Sequence, residues 1–123
     1  MKTNLSSHKA GFTLVEIMIV VAIIGLLAAI AIPNFVKSRE TSQANACINN
    51  LRQINAAESQ FALEKHKTTG DNINFPDDLT PYIKMNSNGQ LPICPAGGTY
   101  DCPNVGTNAS CTLSTLTPAH ALQ

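Results

Sequence analysis

Hydrophobic positions in this chain follow two different patterns, and one gives way to the other after Pro33. From Ile17 to Ile32 no residue carries a charge or a hydrogen-bonding side chain, and the apolar run extends with few interruptions from Phe12 to Val36. As a helix, residues 12–36 reach roughly 37 Å at ~1.5 Å per residue, enough to cross a bilayer. After Pro33 the apolar residues thin to Ala44, Cys47, Ile48, Leu51, Ile54, Ala57 and Phe61. Steps of three and four predict an amphipathic helix over 37–69 with one apolar face. Lys37, Arg39, Glu40, Arg52, Glu58, Glu64, Lys65 and Lys67 occupy the other side. Gly25 and Pro33 interrupt the apolar segment. Proline removes one helical hydrogen bond and crowds the carbonyl four residues back, so a kink near residues 29–33 is expected. The interval from Gly25 to Pro33 is where the helix should loosen first. The turn cluster Thr68–Asn72 predicts a helix end near 66–70.

Residues 70–123 read differently: rich in Pro, Gly, Asn, Ser and Thr, and poor in large hydrophobics. The stretch Asn74–Ile83 predicts an extended segment and a short helical turn, with Asp77 or Asp78 as its cap. Thr99–Cys102 and Ser110–Leu113 predict two short strands around the loop 103–109, a hairpin. The fold class is therefore α+β: a long N-terminal helix, apolar and then amphipathic, carrying a small C-terminal head. Such a head is too aromatic-poor for a deep core, so covalent staples are expected. Cys47, Cys94, Cys102 and Cys111 suit two disulfides. Cys102 and Cys111 can face each other across the hairpin, leaving Cys47 on the apolar stripe to meet Cys94. The alternative joins Cys94 to Cys111 and Cys47 to Cys102.

Charge and candidate chemistry narrow the function. Eight Lys/Arg balance eight Asp/Glu, so the basic stripe of a nucleic-acid binder is missing. His8, His66 and His120 lie far apart, and no Gly-rich phosphate loop or nucleophile elbow occurs. No catalytic residue is assigned, and an enzyme is not expected. Zinc at Cys94, Cys102, Cys111 and His120 is set aside because the tight Cys-x-x-Cys element is missing. Calcium at Asp71, Asp77, Asp78 or Asp101 would suit oxygen ligands, but no clear ligand pattern supports it. No metal or cofactor is assigned.

The N-terminus carries the most specific signal. Lys2 and Lys9 precede Gly11, and Phe12 opens the apolar run. A secretory signal peptide has its small-residue cleavage site after the apolar core, whereas here the small residue precedes it. Glu16 lies four residues into a spanning helix, where a carboxylate costs on the order of 2.5–3.5 kcal/mol at mid-bilayer and less near an interface. Lys9-Ala10-Gly11-Phe12-Thr13-Leu14-Val15-Glu16 ahead of a long apolar helix resembles the class III signal of type IV pilins and type II secretion pseudopilins. The resemblance covers the leader and the 50 to 55 residues after it. It implies a leader at 1–11, cut by a prepilin peptidase between Gly11 and Phe12, and N-methylation of Phe12. It further implies that Phe12 and Glu16 serve assembly, Glu16 meeting the amino terminus of a neighbouring subunit. Residues 25–33 are implied to lose helix within the filament.

The segments expected are thus the leader 1–11, a transmembrane and filament-core helix 12–36, an amphipathic helix 37–69 and a head 70–123. Lys2 and Lys9 hold the leader in the cytoplasm, with the bulk outside the inner membrane. The implied partners are copies of this chain, the prepilin peptidase, an inner-membrane assembly platform, and the membrane before assembly. The implied destination is a surface filament or a periplasmic pseudopilus. The expected function is a structural subunit of a type IV pilus-like filament, the alternative a pseudopilin that moves folded proteins across the outer membrane. A monomeric membrane-anchored binding module is the reading of a different class; it gives no reason for Glu16 beside a Gly11–Phe12 junction.

Overall fold

The computed structural model describes residues 11–122. Apart from Gly11, the expected leader lies outside the described residues. One helix dominates: α1, Leu14–Glu64, 51 residues. Its apolar first part is long enough to cross a membrane. The helix is continuous through Gly25 and Pro33, and it ends at Glu64 instead of running on to 66–70. Its last turn closes on His66, which takes the left-handed φ of 54°. The N–H of Lys67 then donates to the Ala62 carbonyl at 2.9 Å. That six-to-one bond is the Schellman closure, in which glycine usually holds the left-handed position.

The chain divides into two units, at Val36 and Lys37. In residues 11–36 no side chain is buried. Phe12 is 86% exposed, Leu26 67% and Phe35 69%. A helix apolar on all sides has no single face to turn toward a core, so its burial needs lipid or other helices.

The second unit has its own core. Ala44, Cys47, Leu51, Ile54, Ala57 and Phe61 of α1 are buried, as their spacing predicts, while Ile48 is half-buried. Cys47, Leu51, Ile54, Ala57 and Phe61 pack on Ile73, Leu79, Ile83, Cys94, Cys102, Val105, Ala109 and Cys111. Phe61 meets Tyr82 edge-on, centroids 6.1 Å apart at 70°. The hairpin is present but shorter than expected: β1 is Tyr100–Asp101 and β2 Ser110–Cys111, antiparallel, with Tyr100 opposite Cys111 and Asp101 opposite Ser110. Thr112 N–H to the Thr99 carbonyl, 3.0 Å, extends the pairing by one bond. The helical turn is a 3₁₀ turn at Thr80–Tyr82 with Leu79 at its cap and no side-chain capping bond. Neither Asp77 nor Asp78 caps it. Asp78 reaches back, its Oδ2 accepting the Asn74 N–H at 2.9 Å and tightening the preceding turn.

Two asparagines on α1 stitch the helix to the loops. Asn50 Nδ2 donates to the Ile93 carbonyl at 3.1 Å and to the Tyr100 hydroxyl at 3.0 Å. Asn55 Oδ1 accepts the Ala109 N–H at 2.8 Å, and its Nδ2 donates to Asn108 Oδ1 at 3.1 Å. These bonds satisfy loop groups that a two-residue hairpin leaves without ladder partners.

Candidate functional site

Two places gather functional side chains, one in each unit. The first is the start of α1. The Thr13 N–H and the Thr13 hydroxyl both donate to Glu16 Oε2, each at 2.7 Å. The Glu16 N–H returns to Thr13 Oγ1 at 3.3 Å. This is a capping box, in which Thr-x-x-Glu satisfies two helix N-terminal donors reciprocally. In the single chain, then, Glu16 has a local role, and its carboxylate at the positive end of α1 is favourably placed. Both bonds use Oε2, so Oε1 takes no hydrogen bond from a described residue. Phe12, one residue before the cap, is fully outside the helix and exposed.

The second place is a sulfur-rich cluster in the head. Cys47 of α1, Cys94 of the loop after Pro92, Cys111 of β2 and His120 are all buried. Their ligand atoms (three Sγ and one imidazole nitrogen) lie within 4.8 Å of one another. Cys94 Sγ and His120 Nδ1 are 3.4 Å apart. Burial pushes the Cys47 thiol up to about 12, partly opposed by the Tyr100 hydroxyl. Burial also works against ionisation of Cys94, yet the backbone N–H groups of Ala96 and Gly98 hold its thiol below the ordinary range. Gly98 is required for clearance: a Cβ there would stand 2.7 Å from Cys111 Sγ.

Cys102 is outside this group. It is fully buried, and burial together with the charges of Glu58 and Asp101 pushes its thiol up to about 11. All four cysteines are free thiols, so neither expected disulfide is formed in this structure. Cys111 stands with Cys47, Cys94 and His120, whereas the hairpin reading set it against Cys102. The structure gathers Cys47 with Cys94, Cys111 and His120, where the set weighed and put aside from the sequence had Cys102. The signal for Cys47 was its position on the apolar stripe of α1, which aims it into the head. The aspartates weighed for calcium are not gathered into a group among the described residues. Asp71 Oδ2 instead accepts the Thr68 N–H at 2.8 Å.

Glu58 is a residue that sequence reasoning misplaced. It is buried, and its Oε1 accepts the Gly106 N–H at 2.6 Å. Gly106 has a φ of 83°, and a Cβ there would lie 2.7 Å from Thr69 Cγ2, so a glycine is needed at this bond. The spacing that selects Ile54 and Phe61 admits 57 and 58 equally, and the charge of Glu58 had assigned it to the wet side.

Comparison with known proteins bears on the first place most directly. Residues 6–32 match the prokaryotic N-terminal methylation motif. The type IV major pilin protein PilA of Myxococcus xanthus is 53% identical over 65 residues, covering 53% of this chain and 30% of that pilin. The type IV major fimbrial protein FimA of Dichelobacter nodosus is 43% identical over 63 residues, covering 51% of this chain and 39% of the other. The pilin matches thus span well under half of those proteins. The type II secretion system core protein G of Escherichia coli is 28% identical over 122 residues, covering 92% of this chain and 84% of the other. No solved structure matches the chain.

Proposed function

We propose that this chain, a relative of type IV pilins and of type II secretion pseudopilins, is the structural subunit of a pilus-like filament and has no catalytic role. A prepilin peptidase removes residues 1–11, and Phe12 becomes the methylated amino terminus. Before assembly, residues 12–36 anchor the chain in the inner membrane with the head outside the cytoplasm. Assembly transfers that helix from lipid to a bundle of copies, where Gly25, Ala28, Ala29 and Ala31 permit close approach.

The observation that carries this reading is the apolar stretch 11–36, in which no side chain is buried, with Glu16 in the first turn of α1. The face needs covering, and Glu16 supplies a register. Its Oε2 is engaged by Thr13, and Oε1 is left to accept the Phe12 amine of a neighbouring copy. Leaving such a charge buried without its partner costs about 3–5 kcal/mol, so staggers that miss the amine are rejected. A loosened Gly25–Pro33 interval in the filament is part of the same proposal, Pro33 having no N–H to give.

The pseudopilin reading is favoured by one fact: similarity to core protein G runs through the head, whereas similarity to the pilins covers about half of this chain. Intact-mass analysis of sheared, periplasmic and membrane fractions separates the readings. A sheared species lacking residues 1–11 and carrying one methyl group supports a surface filament. The same mass retained in the cell envelope supports a pseudopilus. An unprocessed chain, or normal assembly of Glu16→Ala, overturns the proposal.

A further inference from the structure

We propose that Cys47, Cys94, Cys111 and His120 form a structural zinc site that ties the head to α1. The donor set is complete without any addition: three sulfurs and one imidazole, the composition of a closed tetrahedral zinc site. The geometry is close to what the ion needs. With Zn–S near 2.3 Å and Zn–N near 2.0 Å, the edges of the tetrahedron are roughly 3.8 Å between sulfurs and 3.5 Å from sulfur to nitrogen. The Cys94–His120 edge is already 3.4 Å, and no pair of ligand atoms exceeds 4.8 Å. Closing the set requires shifts of about an ångström or less, within the reach of a Cys χ1 adjustment.

The surroundings fit the same assignment. Outer contacts that orient ligands and favour their anionic form accompany metal sites. Here the Tyr100 hydroxyl stands beside Cys47 and is itself held by Asn50 Nδ2 at 3.0 Å. The amides of Ala96 and Gly98 face Cys94, and the missing side chain of Gly98 makes room for the Cys111 sulfur. A hollow of about 260 Å³ lined by Glu40, Gln43, Ala96 and Pro118 borders His120.

A disulfide explains less. It would consume two of the three sulfurs and leave a third thiol and an imidazole buried against it with no partner of comparable strength. Coordination uses all four groups, and each comes from a different segment: α1, the 91–98 loop, β2 and the 117–122 segment. Binding exchanges three thiol protons for one dication, leaving a site of net charge −1. Cys102, outside the cluster, has no part in it.

The test uses the full chain in detergent micelles, purified without chelator and assayed for metal by mass spectrometry. About one zinc per chain is expected for four protein ligands. After chelation under reducing conditions, Co²⁺ should restore a tetrahedral d–d spectrum with sulfur-to-cobalt charge transfer. Cys102→Ser should retain both properties. Cys47→Ser and His120→Gln should weaken binding by more than the roughly 10–100-fold that loss of an outer-shell partner costs. Because those two variants can also fail to fold, the wild type and Cys102→Ser are decisive by themselves. Wild-type protein with reduced thiols that takes up neither zinc nor cobalt overturns the proposal. So does a non-reduced mass two hydrogens lighter with the bond inside the cluster, or metal lost in Cys102→Ser but kept in His120→Gln.

Discussion

Residues 11–36 and residues 37–122 use the same apolar amino acids to opposite ends. In the first stretch Ile, Val and Leu surround the helix, and none is buried. In the second a stripe of them on α1 is buried, Leu51 and Ile54 being 0% and 1% exposed, while Leu63 and Ile93 stay exposed. The difference is one of arrangement. A stripe can be satisfied by a small head laid along it, here through Ile73, Leu79, Ile83 and Val105. A cylinder that is apolar all round needs neighbours on every side. The second stretch therefore stabilises itself, and the first depends on lipid or on other helices.

The sharpest way to break this contrast is to truncate one aliphatic side chain in each stretch. Leu51→Ala should cost the head about 2–5 kcal/mol, the range for buried leucines that leave a cavity. Ile23→Ala, exposed in the single chain, should leave head unfolding within about 0.5 kcal/mol. Denaturant titration of the full chain in micelles, followed by Tyr fluorescence, reads both. Equal losses would mean that residues 11–36 contribute to the same cooperative unit and that the division is false.

The two glutamates of α1 sharpen the comparison at the next level of effect. Glu58 accepts the Gly106 N–H inside the head, and Glu16 accepts from Thr13 at an exposed helix start. Glu58→Ala should destabilise the head by about 1.5–3 kcal/mol, as for a hydrogen bond to a charged group. Glu16→Ala should leave head unfolding unmoved and show its effect only when filaments are counted by electron microscopy. A Glu16→Ala variant that unfolds early would assign this residue to folding and not to assembly.

Much of this was legible in the amino-acid order, for a definite reason. The long helix, its apolar then striped character and the buried set on α1 all follow from local periodicity, which needs no knowledge of the partner. The hairpin followed from short β-prone runs around a Gly/Asn loop. What periodicity does not carry is which distant residues meet. Cys47 and Cys111 are far apart in sequence, and hairpin proximity set Cys102 against Cys111, whereas the structure places Cys111 beside Cys47, Cys94 and His120. Glu58 was misplaced because charge was read as exposure, whereas a backbone N–H at Gly106 was waiting for it. Asp78 was expected to cap the turn after it and instead closes the turn before it.

Cys102 gives a smaller effect, and one with a pH signature. Its thiol is held neutral in the fold up to about 11, against an ordinary value of 9.0. The unfolded thiol ionises first, so this contribution is complete below pH 9 and is lost as pH rises from 9 towards 11. The midpoint of denaturation should fall across that window, and fall less steeply in Cys102→Ala. No such dependence attaches to residues 11–36, which contain no thiol.

The smallest expected change concerns how the two ends of α1 are closed. At the start, in the dependent stretch, side chains of Thr13 and Glu16 do it; at the end, in the self-sufficient one, the backbone does, through Lys67 N–H to Ala62. That backbone closure forces His66 to a φ of 54°, a region costing a residue with a Cβ roughly 1–2 kcal/mol. Glycine removes that cost but adds freedom to the unfolded chain, which offsets about half of it. His66→Gly should therefore raise head stability by about 0.5–1 kcal/mol, and His66→Val should lower it, since β-branching is worst tolerated there. His66 is exposed and makes no side-chain bond among the described residues, so no lost contact obscures the measurement. If His66→Gly were destabilising, the end of α1 would depend on the imidazole after all, and both ends of the helix would be closed by side chains.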